Sequence, residues 1–417
     1  MVSAPVGATS GPTLVKDINP SGASNPTYLT AVGSTLFFAA NDGVHGNELW
    51  KSDGTAAGTK MVKNIRPYGK SSDPDNLVNV NGTLFFTAID GVHGRELWKS
   101  DGTKAGTVMV KDLNTGKKNS FGGNSTYLHE GGAFAVGSRL FFIVDLCCVG
   151  TSALYVSDGT SNGTVRLDDG EEPISVADEF SSGAAGGRFY FVVVDKSGED
   201  WMSQLWMSDG TTAGTHLVPG SPEWYQMQIL PNNGTKLYFY TDRLWRTDGT
   251  AAGTFPISDI GAAAGGFRPM QSVLLNQRLY FGDVGLWKTD GTFAGTKPIS
   301  NGDVFGLTRA GDRLFFTRNS SLWQSDGTAG GTRAIRDFAT WWPTYLVAVG
   351  DKVCFARFNW TGTWSLWRSD GTNAGTQKAH SFVGPDDIGW SGAAVGGRLF
   401  FGADDGAAGN ELWSYTP

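Results

Sequence analysis

The sequence predicts an all-β protein, a closed β-propeller of four-stranded antiparallel blades, with nine blades expected and eight as the alternative. Three observations predict it. A phrase built on Asp-Gly-Thr returns throughout the chain, an aromatic anchor stands three residues before each copy, and the sequence begins and ends part-way through a unit.

The composition agrees with this class. Of 417 residues 59 are Gly, 12% are aromatic and only 18% are charged, a mixture suited to many short strands joined by tight turns. The formal charge of −7, with both signs interspersed, provides no field for a polyanion, so nucleic acid is not an expected partner. No stretch reaches the ~18 consecutive apolar residues of a membrane span. Residues 1–11 read as a flexible leader and 12–417 as a single propeller domain, expected to be monomeric. The first twenty residues lack the basic and apolar regions of a signal peptide, which is compatible with an export signal removed upstream. Cys147, Cys148 and Cys354 have neither a disulfide framework nor zinc-ligand spacing, and the adjacent pair reads as free, buried thiols in preference to a strained vicinal bridge.

The repeat itself is explicit. Glu48-Leu-Trp-Lys-Ser-Asp-Gly-Thr-Ala-Ala-Gly-Thr59 returns almost unchanged from Glu96. Its anchor recurs at Trp50, Trp98, Tyr155, Trp206, Trp245, Trp287, Trp323, Trp367 and Trp413, on average about 45 residues apart, the period of a four-stranded blade. Four strand signals fill each period, as in Tyr28–Val32, Leu36–Ala39, Glu48–Ser52 and Met61–Ile65, and Gly, Asn or Asp separates them. The second is traceable in every unit, from Leu36-Phe-Phe38 to Leu399-Phe-Phe401.

The ends predict closure. Leu14–Ile18 matches a fourth strand with no blade before it, and Glu411–Pro417 contains a third strand with no fourth behind it. Pairing the two would complete a ninth blade from both ends and leave no open repeat edge.

Within the repeat, Asp-Gly-Thr has a local reading as a hairpin turn. Asp bonds a backbone N–H two residues on, Gly takes the left-handed conformation and Thr starts the return strand. The competing reading, a calcium loop, would need several alternating oxygen ligands where this turn has a single carboxylate. The anchors read as structural rings bridging blades.

Leu-Trp-x-Ser-Asp-Gly-Thr-x-Ala-Gly-Thr resembles the ELWxxDGT repeat of bacterial, often myxobacterial, proteins, and the resemblance runs from about Gly11 to Trp413. It implies an extracellular or cell-surface location and no defined reaction. Units three to eight depart from it, with Ala153, Gln204, Arg243, Gly285, Ser321 and Ser365 in place of Glu. The fold therefore does not require that Glu in every blade.

Candidate site residues lie in the loops joining strand two to three and strand four to the next blade. Trp201, Trp224, Trp341, Trp342, Trp360, Trp364 and Trp390 all fall there or at the adjoining strand ends. Flat rings beside polar groups suit sugar binding, and Trp341, Trp342, Trp360 and Trp364 form the expected centre. The plainer reading is that some of these rings fold back over the rim. Two acidic clusters, Asp168-Asp-Gly-Glu-Glu172 and Asp386-Asp387, read as solvated loops that could hold a hard cation. The loop Asp42-Gly-Val-His45-Gly-Asn-Glu48 repeats with Asp90, His93 and Glu96, and again from Asp405 to Glu411 with Ala408 in place of His. Its imidazole and carboxylates could bind a metal, though the Gly spacing favours a braced turn. No Gly-x-Ser-x-Gly, His-Glu-x-x-His or phosphate loop occurs. The expected function is a non-catalytic extracellular binding or scaffolding module, for a glycan or a surface protein. A polysaccharide-active hydrolase or lyase using the same loops is the alternative, and no cofactor is called for beyond calcium as an option.

Overall fold

The computed structural model describes residues 11–113, 133–146, 151–167, 181–195, 202–230, 234–260, 271–282, 284–359, 362–384 and 392–417. Among them there is no helix, and the strands form nine four-stranded antiparallel sheets, the blades of a β-propeller. Eight blades are meanders in chain order over 27–63, 75–111, 133–166, 182–217, 228–256, 271–301, 305–337 and 344–383. The ninth takes three strands from 392–415 and its fourth from Thr13–Lys16. Leu14 pairs with Trp413 and Lys16 with Leu412. The expected closure is present, with nine blades and not eight.

Two compact units divide the chain: Met1–Pro74 with Thr308–Pro417, and Asp75–Leu307. The closure blade lies wholly in the first. No helix among the described residues is long and apolar enough to cross a membrane.

Strand two is apolar on both sides because it is covered on both sides, so its triplet Leu36-Phe37-Phe38 and the equivalents are buried. In all nine blades the triplet's last Phe pairs directly across with the anchor of strand three, as Phe38 does with Trp50, Phe142 with Tyr155 and Phe401 with Trp413. The rings stack or tilt together, 5.7 Å apart for Phe142–Tyr155 and 6.1 Å for Phe316–Trp323, adding aromatic contact between a buried Phe and a partly buried anchor.

The Asp-Gly-Thr turn uses every residue of its motif. Asp53 Oδ1 accepts from the Thr55 amide at 2.9 Å and the Thr55 hydroxyl at 2.7 Å, and Thr55 Oγ1 accepts from Gly58 N at 2.9 Å. Thr59 donates to the Thr55 carbonyl and meets the Ser52 hydroxyl at 2.7 Å. A Cβ on Gly58 would lie 2.0 Å from Asp53 Oδ1, which is why the second glycine of the motif recurs. The turns also lock neighbouring blades together: Arg139 and Arg313 each donate to the turn Asp carbonyl of the following blade, Asp209 at 2.8 Å and Asp370 at 2.7 Å. The Thr55 hydroxyl and amide bonds hold the Asp53 carboxyl below the usual carboxylate range. The turn carboxylates are thus committed to the fold.

Candidate functional site

Of the seven tryptophans outside the anchors, Trp201, Trp360 and Trp390 lie outside the described residues. Trp364 is not a surface ring. It is 1% exposed, because strand three of the eighth blade begins at Thr363 and its alternation places Trp364 beside Leu366 in the core. There it stacks on Phe382 at 4.7 Å and meets Phe401 edge-on at 6.0 Å, so Trp364 leaves the set of ligand-binding rings. Trp224 is partly exposed in the linker after the fourth blade, with its backbone bridged to Ser203. Trp341 and Trp342 are 39% and 60% exposed and adjacent in the linker between the seventh and eighth blades.

That linker is built from both of its flanks. Asp337 Oδ1 accepts from Ala339 N at 2.9 Å and from the Ser320 hydroxyl at 2.6 Å. The Phe338 ring meets Trp367 and Phe355 edge-on at 5.1 and 5.9 Å. Over Phe338, at 4.2 Å, lies the Arg357 guanidinium, which donates to the carbonyls of Trp341, at 3.2 Å, and Thr340. Burial, with Arg336 nearby, lowers the Arg357 pKa from its ordinary value. Held this way, the linker carries left-handed backbone at two residues other than Gly, Ala339 (φ 61°) and Trp341 (φ 64°). It leads into Tyr345, 45% exposed and edge-on to Phe358 at 6.0 Å. The result is a set of flat rings bordered by amide and phenol groups, an arrangement able to stack on an apolar ring face and hydrogen-bond its rim.

Sequence reasoning missed Arg357 and Tyr345. A signal for the arginine was available: Arg357 stands where the Glu-bearing blades have Ala40, Ala88 and Ala403, each directly across from the Glu, while Arg357 lies across from Ser365. The pair Ala–Glu has become Arg–Ser.

The His-bearing loops resolve into two separate devices. Asp42 accepts from His45 Nδ1 at 2.7 Å and from the amides of Val44 and His45, and Asp90 and His93 do the same. Although burial acts to raise Asp42 and Asp90, these bonds hold both below the usual range, and the bond to Asp90 raises His93. Glu48 does not join its loop. Fully buried, it accepts from Ile65 N at 2.9 Å, Arg66 N at 3.2 Å and the Ser72 hydroxyl at 2.7 Å. Glu96 accepts from Leu113 N, and Glu411 from Ile18 N, Asn19 N, Ser24 N and the Ser24 hydroxyl. Burial raises the Glu48 and Glu411 carboxyls against the opposing pull of these donors. The proposed ligand set Asp42, His45 and Glu48, and its copy Asp90, His93 and Glu96, is therefore not assembled: the Glu turns inward to hold the next linker while Asp and His clasp each other. Among the described residues no group of three or more His, Cys, Asp or Glu converges on a point.

Cys354 is a free, buried thiol pushed up to about 12 by burial. Cys147, Cys148 and both acidic clusters, 168–172 and 386–387, lie outside the described residues.

No protein-family model matches the chain, and no curated protein sequence matches it. Among solved structures it is similar to a prolyl endopeptidase, 10% identical with a TM-score of 0.46 over 81% of this chain and 55% of that one. BamB from Moraxella catarrhalis is 11% identical with a TM-score of 0.45, covering 82% of this chain and 96% of that one. An oligogalacturonate lyase in complex with manganese is 11% identical with a TM-score of 0.45, covering 95% and 98%. The chain spans little more than half the length of the prolyl endopeptidase.

Proposed function

We propose that the protein is a non-catalytic binding module of the ELWxxDGT repeat type, acting outside the cell or at its surface, and that it takes a glycan on Trp341 and Trp342. One observation carries this reading: two adjacent indoles are held outward on a linker whose left-handed backbone is fixed by Arg357. A left-handed residue other than Gly costs about 1–2 kcal/mol, and such strain persists where the surroundings impose it for a use. An indole that serves the core is turned inward, as that of Trp364 is.

The test is a glycan array followed by incubation of each hit with the protein and analysis for products. A binding module retains the glycan and leaves it unchanged, whereas released or shortened sugar would show an enzyme. Variants separate ring from scaffold. Trp323→Ala removes a partly buried anchor stacked on Phe316 and should cost about 2–3 kcal/mol of stability. Trp341→Ala and Trp342→Ala should shift stability by under about 0.5 kcal/mol and weaken glycan binding at least about tenfold. Loop variants that melt as early as Trp323→Ala would make those rings structural and end the proposal.

A further inference from the structure

First strands of several blades open with the same kink. Register shifts fall between Thr27 and Thr30, Asp75 and Val78, and Thr344 and Val347. The strand's second residue is left-handed in each: Tyr28 (φ 55°), Asn76 (φ 53°) and Tyr345 (φ 53°). The seventh blade has Gly306 there, at φ 64°. Glycine accepts this conformation without steric cost and Asn is the side chain that tolerates it best, whereas a bulky aromatic is disfavoured. For the fold alone, Gly306 and Asn76 are the expected choices. Tyr28 and Tyr345 are the exceptions, and their rings are 46% and 45% exposed.

These two tyrosines belong to one unit and one neighbourhood. The first strand of the ninth blade, Gly392–Val395, packs against both Thr344–Val349 and Thr27–Val32. Tyr345 and Tyr28 therefore occupy the same end of three side-by-side strands, one on each side of the middle one. Trp341 and Trp342 lie just before Tyr345, in the linker that leads into its strand. The middle strand comes within 8 Å of each flanking strand, Cα to Cα, so two steps give a row of up to about 16 Å, the length of a short oligosaccharide.

We infer that the ligand is an extended polysaccharide segment, laid across the ends of these first strands from Trp341, Trp342 and Tyr345 to Tyr28, and not a single terminal sugar. The inference rests on the glycan reading above and adds the ligand's length and direction. Each phenol offers a face to stack on and a hydroxyl to exchange hydrogen bonds with a sugar rim, and rings spaced along a chain add their contributions through effective concentration.

The experiment is calorimetric titration of the full chain with size ladders, disaccharide to octasaccharide, of β-1,4-linked glucose, N-acetylglucosamine and mannuronate, together with any array hit. Affinity should rise at least about tenfold from the disaccharide to the longest member of the ladder that binds. Tyr28→Asn keeps the left-handed backbone and removes the ring, so it should melt no earlier than the parent. It should abolish the gain from the longer oligosaccharides while leaving the disaccharide affinity unchanged. Trp342→Ala should instead weaken all lengths together. A flat length dependence, or a Tyr28→Asn ladder identical to the parent's, overturns the extended site while leaving the glycan reading in place. Absence of binding to every array member and every ladder overturns both.

Discussion

Two linkers of the same unit solve one problem with opposite charges. The segment between Lys16 and Thr27 is captured by a buried carboxylate, Glu411, which accepts three backbone N–H bonds and the Ser24 hydroxyl. The segment between Asp337 and Thr344 is captured by a half-buried guanidinium, Arg357, which donates to two backbone carbonyls. A carboxylate gathers N–H groups and folds the linker inward around itself. A guanidinium gathers carbonyls and leaves the side chains of the same residues pointing away. The difference teaches that where the repeat keeps Ala across from Glu, the linker is part of the core, and that where it has Arg across from Ser, the linker becomes a platform.

The comparison predicts unequal penalties. Glu411→Ala should be the most damaging, since it strands donors on the buried residues Ile18, Asn19 and Ser24 at the closure blade. A loss of about 3–5 kcal/mol in denaturant unfolding is expected. Arg357→Ala frees carbonyls that water can reach, and should cost only about 1–2 kcal/mol. Its main effect should be on hydrogen exchange and Trp fluorescence of residues 338–345, with glycan affinity falling in parallel. Arg357→Lys should restore little of this, because one ammonium cannot present a planar fork to two carbonyls. Equal melting of the Glu411 and Arg357 variants would remove the distinction between core linker and platform.

Acid titration gives the smallest effect and sharpens the same contrast. Burial raises the Glu411 carboxyl above 4.5, whereas the Ser320 hydroxyl and the Ala339 amide hold Asp337 below 3.8. On acidification Glu411 should protonate before Asp337, in carboxyl-resolved NMR. The contribution of Asp337 to the platform is complete above the ordinary Asp value and is lost only as pH falls through its lower folded one. The linker at 338–343 should therefore hold its hydrogen-exchange protection to more acid pH than an unperturbed Asp would allow.

Much of the architecture was legible from the chain alone, for a definite reason. Strand two, the anchor and the Asp-Gly-Thr turn are each fixed by short-range chemistry repeated nine or nearly nine times, so repetition exposed what any single copy would hide. The closing strand was legible because Leu14–Lys16 so closely matches a fourth strand. The site was less so. Trp364 was misplaced because strand three of the eighth blade starts early at Thr363, and a two-residue alternation decides between core and solvent. The inward turn of Glu48 depends on Ile65 and Ser72, seventeen and twenty-four residues away, a distance no local pattern reports. Tyr28 and Tyr345 went unnoticed because an aromatic in a strand looks ordinary until its φ is known.

The strand Thr13–Lys16, described above as the fourth strand of the last blade, also sets an order of events during synthesis. Its partner, Glu411–Tyr415, emerges nearly 400 residues later, which at about 5–20 residues per second is a wait of tens of seconds. Meanwhile Asp75–Leu307 is one uninterrupted segment and can assemble blade by blade as it appears. Residues 13–63 must spend that interval with an unpaired strand and an uncovered first blade. Completing the last blade from both ends thus leaves Thr13–Lys16 exposed until a partner made long after it arrives.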